Sequence, residues 1–417
     1  MHDFAKNTIG SFYMSRDISR YSPVAGTGIA PLSSSLHYSN ALFEGMSIIG
    51  VRKGQSIQLG LFHPNLNFER MRHGMSELGI GWELYSDELI IESIFTICAL
   101  NKWNLNIGLE GVNTLVSNEY GKYQRIYVRP LVYAANNAIG LGAKQEYGLL
   151  LCLVPMGDYL SQQSPEGMNT MLHPKPRTLA FPTLKVASNY QLSMQGQAAL
   201  AKYNSTNDIR CGEVVFANRN GNITEGSGEN IVMVRDNELI TPPLSEGALP
   251  GITYRIVFQI AEEMGIRTRF GTFKYGDIDS ADALFFTGNA AGLIPIKKVV
   301  KVDENYSTAD YMETREGGRN ALFRKLQAEY MRISLGDTTY GNYFTYLDEW
   351  IDESRLAELN TLGDDFRKSL ADENTRYEGT NTSVNSFITL NPKVSIGRKY
   401  FDDKKWILER LGLRHYL

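Results

Sequence analysis

The sequence of 417 residues lacks the features that mark several protein classes. Its three cysteines, Cys98, Cys152 and Cys211, form no C-x-x-C pair, so we expect reduced thiols without a disulfide framework, as is usual in the cytoplasm. No apolar run reaches the roughly 20 residues that a membrane-spanning helix needs. The N-terminal stretch also lacks the apolar segment of a signal peptide. The six histidines are dispersed without metal-ligand spacing, so we expect no metal site.

Charge of one sign is also missing. The formal net charge is -4, from 42 basic and 46 acidic residues that are interleaved along the chain, so no basic surface for nucleic acid is expected. There is no Walker loop and no H-E-x-x-H. The Gly226-Ser227-Gly228 segment matches neither the dinucleotide fingerprint nor the G-x-S-x-G elbow of hydrolases. With 43% hydrophobic residues, the chain is a globular protein that has ample material for a core.

The pattern of elements predicts an α/β fold with mixed sheets, in two domains and a tail. We place a small N-terminal α/β domain at 1–155 and an interdomain loop, rich in Gly, Gln, Ser and Pro, at 156–168. A large domain follows at 169–351, and a C-terminal extension at 352–417. Leucines at helical spacing in this extension predict that it docks on the large domain or at a dimer edge without adding to the chemistry.

Short runs rich in β-forming residues predict strands, with hairpin turns at Asn220-Gly221 and Asp236-Asn237. Helices are predicted over Tyr85–Asn101, after Pro250-Gly251 and over Arg355–Asn374. The predicted strands are Ser47–Val51, Leu59–Phe62, Arg125–Tyr133, Leu149–Val154, Glu213–Ala217, Ile231–Arg235, Leu239–Thr241 and Leu284–Thr287.

Three segments place charged or polar residues among small and apolar neighbours. Lys185 has aliphatic residues on both sides, a setting that can lower the pKa of the amine and favour Schiff-base chemistry, although a surface lysine is the commoner reason for such a pattern. The box Thr224–Asn230 sets Glu225 between glycines and strands, where the backbone can approach a ligand. Leu249–Thr253 then brings backbone N–H groups to a helix start, which suits a phosphate but is also an ordinary N-cap.

These segments occur in a fixed order with three more motifs. The order is His37-Tyr38 with Phe43-Glu44-Gly45, then Tyr127-Val128-Arg129-Pro130-Leu131, Lys185 with Asn189-Tyr190, the Glu225 box, Leu249-Pro250-Gly251-Ile252-Thr253, and Gly288-Asn289-Ala290-Ala291. In this order they resemble the pyridoxal-phosphate-dependent aminotransferases of fold type IV, and most closely the branched-chain amino acid aminotransferases. The resemblance covers about residues 25 to 350.

The resemblance implies a cofactor, pyridoxal 5'-phosphate, and a set of residues that bind it. Lys185 would hold the cofactor as a Schiff base and move the proton at the substrate α-carbon. Glu225 would pair with the pyridine nitrogen, and Tyr190 with the phenolic oxygen. The phosphate would be bound by Arg70, the backbone of Leu249 and Ile252, the hydroxyl of Thr253 and Asn289.

The same resemblance implies the substrates and their binding residues. A hydrophobic L-amino acid would exchange its amino group with a 2-oxo acid such as 2-oxoglutarate. Arg129 and Tyr127 would meet substrate carboxylates. The wall of the side-chain pocket and its neighbourhood would consist of Tyr38, Phe43, Met156, Tyr159 and Ala290. For Tyr38 and Phe43, plain core packing explains the pattern equally well. The family also implies a homodimer.

The sequence departs from the family at two binding segments. Asn289 stands where the family has a threonine, and its amide can still donate a hydrogen bond. Met156 stands where the family has a tryptophan, so a flexible thioether replaces an indole. These departures leave the cofactor chemistry intact and bear on the choice of substrate.

Two other functions remain open from the sequence. One is a lyase similar to aminodeoxychorismate lyase, and Tyr127–Leu131 favours the transaminase over it and over the D-amino acid branch. The other is a catalytically silent cofactor-binding scaffold. The joint presence of Arg70, Lys185, Tyr190 and Glu225 argues against this scaffold.

Overall fold

The computed structural model describes residues 32–53, 56–81, 86–100, 125–142, 146–156, 166–334, 343–361 and 389–390. Contacts divide them into two compact units. Unit 1 consists of the described residues within Met1–Gly157 and Phe344–Leu417, and unit 2 of those within Asp158–Tyr343. None of the described helices is long and apolar enough to cross a membrane.

The strands and helices are numbered in chain order. The strands are β1 Ala41–Phe43, β2 Met46–Lys53, β3 Ser56–Phe62, β4 Arg125–Ala134, β5 Tyr147–Met156, β6 Met168–Leu172, β7 Glu213–Ala217, β8 Ile223–Gly226, β9 Asn230–Arg235, β10 Glu238–Thr241, β11 Arg267–Phe270, β12 Ala283–Gly288, β13 Gly292–Val302, β14 Thr308–Glu313, β15 Phe344–Tyr346 and β16 Thr389–Leu390. The helices are α1 Ser34–Tyr38, α2 Pro64–Glu77, α3 Asp87–Leu100, α4 Tyr190–Thr206, α5 Ile252–Glu263, α6 Ala321–Ser334 and α7 353–361.

Unit 1 contains one antiparallel sheet of seven strands in the order β15-β3-β2-β4-β5-β16, with β1 beside β4. The core on this sheet includes Leu42, Ile48 and Leu61, which are at most 2% exposed. From α2, Phe68 and Met75 recur at helical spacing and are fully buried. Strands and helix thus bury one shared apolar layer.

Unit 2 contains a nine-stranded sheet in which six strands close into a ring. The order β9-β12-β13-β6-β7-β8 returns to β9 through the pairing of Glu225 with Asn230. Strands β10 and β11 extend from β9, and β14 from β13. Closure removes exposed sheet edges within the ring and surrounds a core that contains Val215, Ile231 and Phe286. The α/β fold with mixed sheets is therefore confirmed.

The predicted strands all lie within observed ones, and the predicted hairpin turns are present. Asp236 and Asn237 both have φ +54°, as a two-residue hairpin turn requires. Gly221 has φ +78° in the longer turn between β7 and β8, where its N–H donates to the Asn218 carbonyl. The helix that follows Pro250-Gly251 is α5, and Gly265 at φ +72° follows its C-terminal end.

Two expectations about the end of the chain are corrected. Residues 344–351 were expected in the large domain, but β15 pairs with β3 of unit 1. The extension was expected to dock on the large domain or at a dimer edge. Its described part does not belong to the large domain but to unit 1, where Leu359 of α7 is fully buried and β16 pairs with β5. Apolar spacing shows that a helix docks and not where it docks. Leu362 and Phe366 lie outside the described residues.

Candidate active site

Lys185 is held by a tight turn at the entrance to α4. The side-chain amide of Asn189 donates to the carbonyls of Phe181, at 2.7 Å, and Leu184, at 2.9 Å. The neighbours Leu184 and Val186 are 4% and 3% exposed, so the apolar setting expected from the sequence is present. The Lys185 Nζ donates to the Tyr190 hydroxyl at 2.6 Å, which brings two predicted site residues together.

Glu225 is buried at the closing pair of the strand ring, with 6% of its surface exposed. Its carboxylate forms an ion pair with Arg177. It also accepts hydrogen bonds from the Leu249 backbone N–H at 2.8 Å and from the Asn230 amide at 3.3 Å. These donors all favour the ionised carboxylate.

Arg177 is a site residue that the sequence analysis missed. It is 8% exposed and lies over the ring of Phe216, with the guanidinium carbon 5.5 Å from the ring centroid. Its Nε and Nη1 are buried, and no described residue accepts a hydrogen bond from them. Arg177 is 48 residues from Glu225 and belongs to no recognised motif, so only the fold reveals the pair.

A glycine is required at position 251 because the backbone there passes close to the side chain of Asn230, which contacts Glu225. A Cβ built at this position would lie 1.8 Å from the Asn230 Oδ1. The Asn230 amide in turn donates to the Leu249 carbonyl at 2.7 Å. Any side chain at Gly251 would therefore displace Asn230, which contacts Glu225.

Two of the predicted phosphate ligands meet at the start of α5. Gly251 is the N-cap and has no side-chain capping bond, and Ile252 and Thr253 are 3% and 2% exposed. The Thr253 hydroxyl donates to the Asn289 Oδ1 at 2.8 Å. Asn289 and the half-buried Ala290 follow the end of β12. Backbone N–H groups at a helix start, next to a hydroxyl and an amide, can bind an anion.

A cavity opens between these elements of unit 2. Among the predicted residues, Tyr190, Glu225 and Leu249 line it. Gly228 also lines it, and a Cβ built there would meet no atom within 4 Å. The wall therefore carries an acid, a phenol and an open stretch of backbone.

Two further buried acids, Glu213 and Glu229, were not predicted. Glu229 lines the cavity and is 4% exposed, and its Oε2 accepts a hydrogen bond from the Gly228 N–H at 3.0 Å. Burial raises the pKa of Glu229 to about 8, and the charges of Glu213 and Glu225 also raise it, against the opposing effects of Gly228 and Lys185. Burial also raises the pKa of Glu213. Glu229 belongs to the Glu225 box, so its position in sequence could have revealed it.

Unit 1 holds Arg70 in a buried ion pair. Its Nε and Nη2 donate to the two carboxylate oxygens of Glu44, at 2.6 and 2.8 Å. Glu44 is fully buried and also accepts from the Asn67 amide at 2.7 Å. Glu44 belongs to the Phe43-Glu44-Gly45 motif, in which no role for the acid was predicted from the sequence. The bidentate contact with Arg70 assigns Glu44 a structural role.

Arg129 of unit 1 is held by aromatic side chains. Its guanidinium carbon lies 4.3 Å from the ring centroid of Phe43 and 5.1 Å from that of Tyr127. Its Nη2 donates to the Tyr127 hydroxyl at 2.8 Å. No carboxylate of a described residue lies within 4.0 Å of this guanidinium. A Cβ at Gly45 would lie 2.2 Å from the Tyr127 hydroxyl, so the glycine leaves room for it.

The remaining predicted pocket residues are only partly defined. Tyr38 ends α1 and is 41% exposed. Met156 is the last residue of β5, and its side chain is not described. Tyr159 lies outside the described residues. In the described part of the chain, no group of three or more His, Cys, Asp or Glu residues could hold a metal ion.

The amino-transferase class IV family model matches residues 41–299. A curated relative, the branched-chain-amino-acid aminotransferase of Escherichia coli strain K12, is 25% identical over 317 residues, which cover 74% of this chain and 88% of the relative. Two solved structures are similar. The branched-chain aminotransferase of Thermoproteus uzoniensis with norvaline has a TM-score of 0.61 at 23% identity, over 77% of this chain and 94% of its own. That of Thermobaculum terrenum in its PLP form has a TM-score of 0.62 at 20% identity, over 79% and 96%.

Because the family model spans more than half of the chain and includes the Lys185, Glu225 and Asn289 segments, this protein belongs to the class IV aminotransferases.

Proposed function

We propose that the protein transfers the amino group of a hydrophobic, branched-chain-like L-amino acid to a 2-oxo acid such as 2-oxoglutarate. Its cofactor is pyridoxal 5'-phosphate. The observation that carries the proposal is the set of Lys185 bonded to Tyr190, and Glu225 fixed by Arg177, in the cavity region of unit 2. The relatives support the substrate class, because both structures are named branched-chain aminotransferases and one contains norvaline.

The donors and acceptors of unit 2 fit this cofactor. The buried Nε and Nη1 of Arg177 have no partner among the described residues, and Gly228 leaves space that a side chain would fill. A buried carboxylate suits a protonated ring nitrogen, and a helix start with Thr253 and Asn289 suits a phosphate. The bound cofactor supplies an electron sink for the negative charge that forms at the substrate α-carbon.

The chain's own residues then bind, orient and transfer protons. In this proposal Lys185 would hold the cofactor covalently through Nζ until the amine of the substrate displaces it. The Nζ amine freed in this way would remove and return the proton at the substrate α-carbon. The Tyr190 hydroxyl, 2.6 Å from Nζ, orients the amine and bonds the phenolic oxygen of the cofactor. The Glu225 carboxylate keeps the ring nitrogen protonated. Its own charge is fixed by Arg177 and the Leu249 N–H.

The roles of the remaining binding residues are part of the proposal. In unit 2, the Leu249 and Ile252 backbone, Thr253 and Asn289 bind phosphate. For Arg70 of unit 1, phosphate binding is proposed from the family resemblance, and its guanidinium would share the anion with its existing partner Glu44. Arg129 and Tyr127 bind carboxylates of glutamate and 2-oxoglutarate. Support for Arg129 is that its described partners are aromatic, which leaves the guanidinium without a carboxylate of its own among the described residues. Tyr38, Phe43, Met156, Tyr159 and Ala290 are proposed to border the substrate, and loss of an indole at Met156 would admit larger hydrophobic side chains.

A homodimer and a cytoplasmic location also remain proposals. The dimer is supported by three exposed apolar side chains of unit 1, Leu36, Ile139 and Leu141, which are 59%, 60% and 85% exposed. The Ser34 N–H bonds the Asn136 side chain, so the helix and loop that carry these residues are neighbours. Light scattering should give twice the chain mass. A monomeric mass with full activity would contradict the dimer.

A panel of amino donors with 2-oxoglutarate tests the function. Leucine, isoleucine, valine and norvaline should each yield glutamate, and lysine and aspartate should not. The matched control is the same protein with Lys185→Ala. Release of pyruvate from added aminodeoxychorismate, without amino transfer from any donor of the panel, would favour the lyase instead. No reaction with any donor or with aminodeoxychorismate by a cofactor-loaded protein would favour a silent scaffold.

A further inference from the structure

Two buried acids, Glu213 and Glu229, are not used by the proposed chemistry. Glu213 begins β7 and is 2% exposed, and Glu229 lies in the turn between β8 and β9. The charged groups that act on Glu229 come from three elements: Glu213 from β7, Glu225 from β8, and Lys185 from the loop before α4. Three carboxyl groups therefore share one buried region.

The cations of this region do not balance three carboxylates. Arg177 is paired with Glu225, and Lys185 donates to the Tyr190 hydroxyl. Among the described residues, no group of three or more His, Cys, Asp or Glu side chains is placed to hold a metal ion. Arg177 and Lys185 supply two positive charges for three buried carboxyl groups, so ionisation of all three is costly and one of them must hold a proton.

The hydrogen bonds decide which acid holds the proton. The Oε1 of Glu213 accepts three donors at 2.6 Å each, from the Gln197 amide, the Ser227 hydroxyl and the Val214 N–H. Glu229 accepts one, from the Gly228 N–H. Hydrogen bonds donated to a carboxylate stabilise its ionised form, so Glu213 is the better anion and Glu229 the better acid.

We propose that Glu229 is a neutral acid of the pocket wall at neutral pH, and that its ionisation adds a second negative charge that acts on Lys185 and so raises the proton affinity of Nζ. Glu229 acts on the reaction through Lys185 and does not need to touch the substrate. This consequence for Lys185 rests on the proposed function, whereas the proton on Glu229 does not.

Infrared spectroscopy of the cofactor-loaded protein tests the proton directly. A neutral carboxylic acid has a carbonyl stretch that a carboxylate lacks. In wild type this band should be present at neutral pH and should disappear with a midpoint near pH 8. Glu229→Gln should lack the band throughout. Glu213→Gln should keep it and shift its midpoint to lower pH, because a neighbouring charge has been removed.

Visible absorbance of the same samples, from about pH 6 to about pH 10, tests the effect on Lys185. The midpoint of the cofactor–lysine band should move to lower pH in Glu229→Gln, while a merely structural residue would alter stability without moving this midpoint.

The outcomes separate the two proposals. A band that survives in Glu229→Gln and vanishes in Glu213→Gln would move the proton to Glu213 and overturn the inference. Absence of the carbonyl band from the wild-type spectrum at neutral pH would also overturn the inference. This test needs only the wild-type protein, so it does not depend on whether the variants fold. An unchanged absorbance midpoint in Glu229→Gln would overturn the link to Lys185. A protein that shows the infrared band but no cofactor–lysine band would instead contradict the proposed function.

Discussion

Three arginines of the two units are held in two different ways. In unit 2, Arg177 forms an ion pair with Glu225, and in unit 1, Arg70 does the same with Glu44. Arg129 of unit 1 instead lies on Phe43 and Tyr127 and hydrogen-bonds a phenol. A guanidinium with its own carboxylate is already held by the fold, so an anionic ligand has to share or displace that carboxylate. One that has only aromatic partners among the described residues can take an anionic ligand at little cost.

The largest expected effect is on chemistry, at Lys185. Lys185→Ala removes both covalent attachment and proton transfer, so turnover should fall by on the order of 10⁴-fold or more. Borohydride reduction followed by peptide mapping should locate the cofactor on Lys185 in wild type. Lys175→Ala, at an exposed lysine of the same unit, is the control and should keep both adduct and activity. An adduct on any other lysine would end this assignment.

The next largest effect is expected on the free energy of unfolding, when either of the two buried ion pairs is broken. Glu225→Gln and Glu44→Gln each leave a buried guanidinium without its carboxylate, which should lower the free energy of unfolding by about 3–5 kcal/mol. Glu358→Gln breaks an exposed pair with Arg355 and should change it by about 0.5 kcal/mol at most.

Urea unfolding measures the free energy of unfolding of all three variants. Only Glu225→Gln should also weaken the cofactor's absorbance, because only Glu225 is assigned to the ring nitrogen. Equal spectra for Glu225→Gln and wild type would show that this carboxylate is structural.

In contrast to the loss of an ion pair, the loss of the Arg129 side chain should affect activity and leave stability nearly unchanged. Arg129→Leu strands no buried carboxylate, so its stability should stay near wild type, whereas Arg70→Leu leaves Glu44 unpaired and should destabilise strongly. Loss of a charge-assisted bond of about 1.5–3 kcal/mol should slow the glutamate half-reaction roughly 10- to 100-fold. The hydrophobic half-reaction should change little. Single-turnover kinetics of the two halves measure this, and equal losses would mean that Arg129 is structural.

The smallest effects come from two glycines of unit 2. Gly251→Ala forces a Cβ to within 1.8 Å of Asn230, so it should cost roughly 1–3 kcal/mol of stability and loosen Glu225. Gly228→Ala meets no atom within 4 Å and should fold with near wild-type stability. It should weaken cofactor or substrate binding, because Gly228 lines the cavity. Thermal unfolding and cofactor titration separate the two variants, and a reversed order of stability would contradict the packing argument.

Local patterns predicted the elements of unit 2 well. The hairpin turns at Gly221 and Asp236-Asn237 require positive φ, and the residues that tolerate it are visible in sequence. The start of α5 at Ile252 follows from Pro250-Gly251. The site residues Lys185, Tyr190 and Glu225 came from the motif order, and the structure brings Lys185 and Tyr190 into contact.

What the sequence did not predict depends on contacts between distant segments. Arg177 meets Glu225 only because the ring of strands brings residues 48 positions apart together. Glu213 is in a correctly predicted strand, but its burial and its three donors come from α4 and the β8–β9 turn as well as its own backbone. The placement of β15 and β16 in unit 1 depends on free sheet edges, which no local pattern encodes.

The pairing of Glu225 with Asn230 gives the cofactor site a place in the order of folding. The ring of strands is complete only when β8 has joined β9, so Glu225, the acid proposed to meet the ring nitrogen, has its observed surroundings only in the closed ring. We therefore expect the cofactor to favour the closed state over any form in which this pairing is open. By mass action, cofactor at a hundred times its dissociation constant should stabilise that state by about 2.7 kcal/mol. The supply of pyridoxal 5'-phosphate in the cell would thus set how much of the protein stays folded as well as how much of it is active.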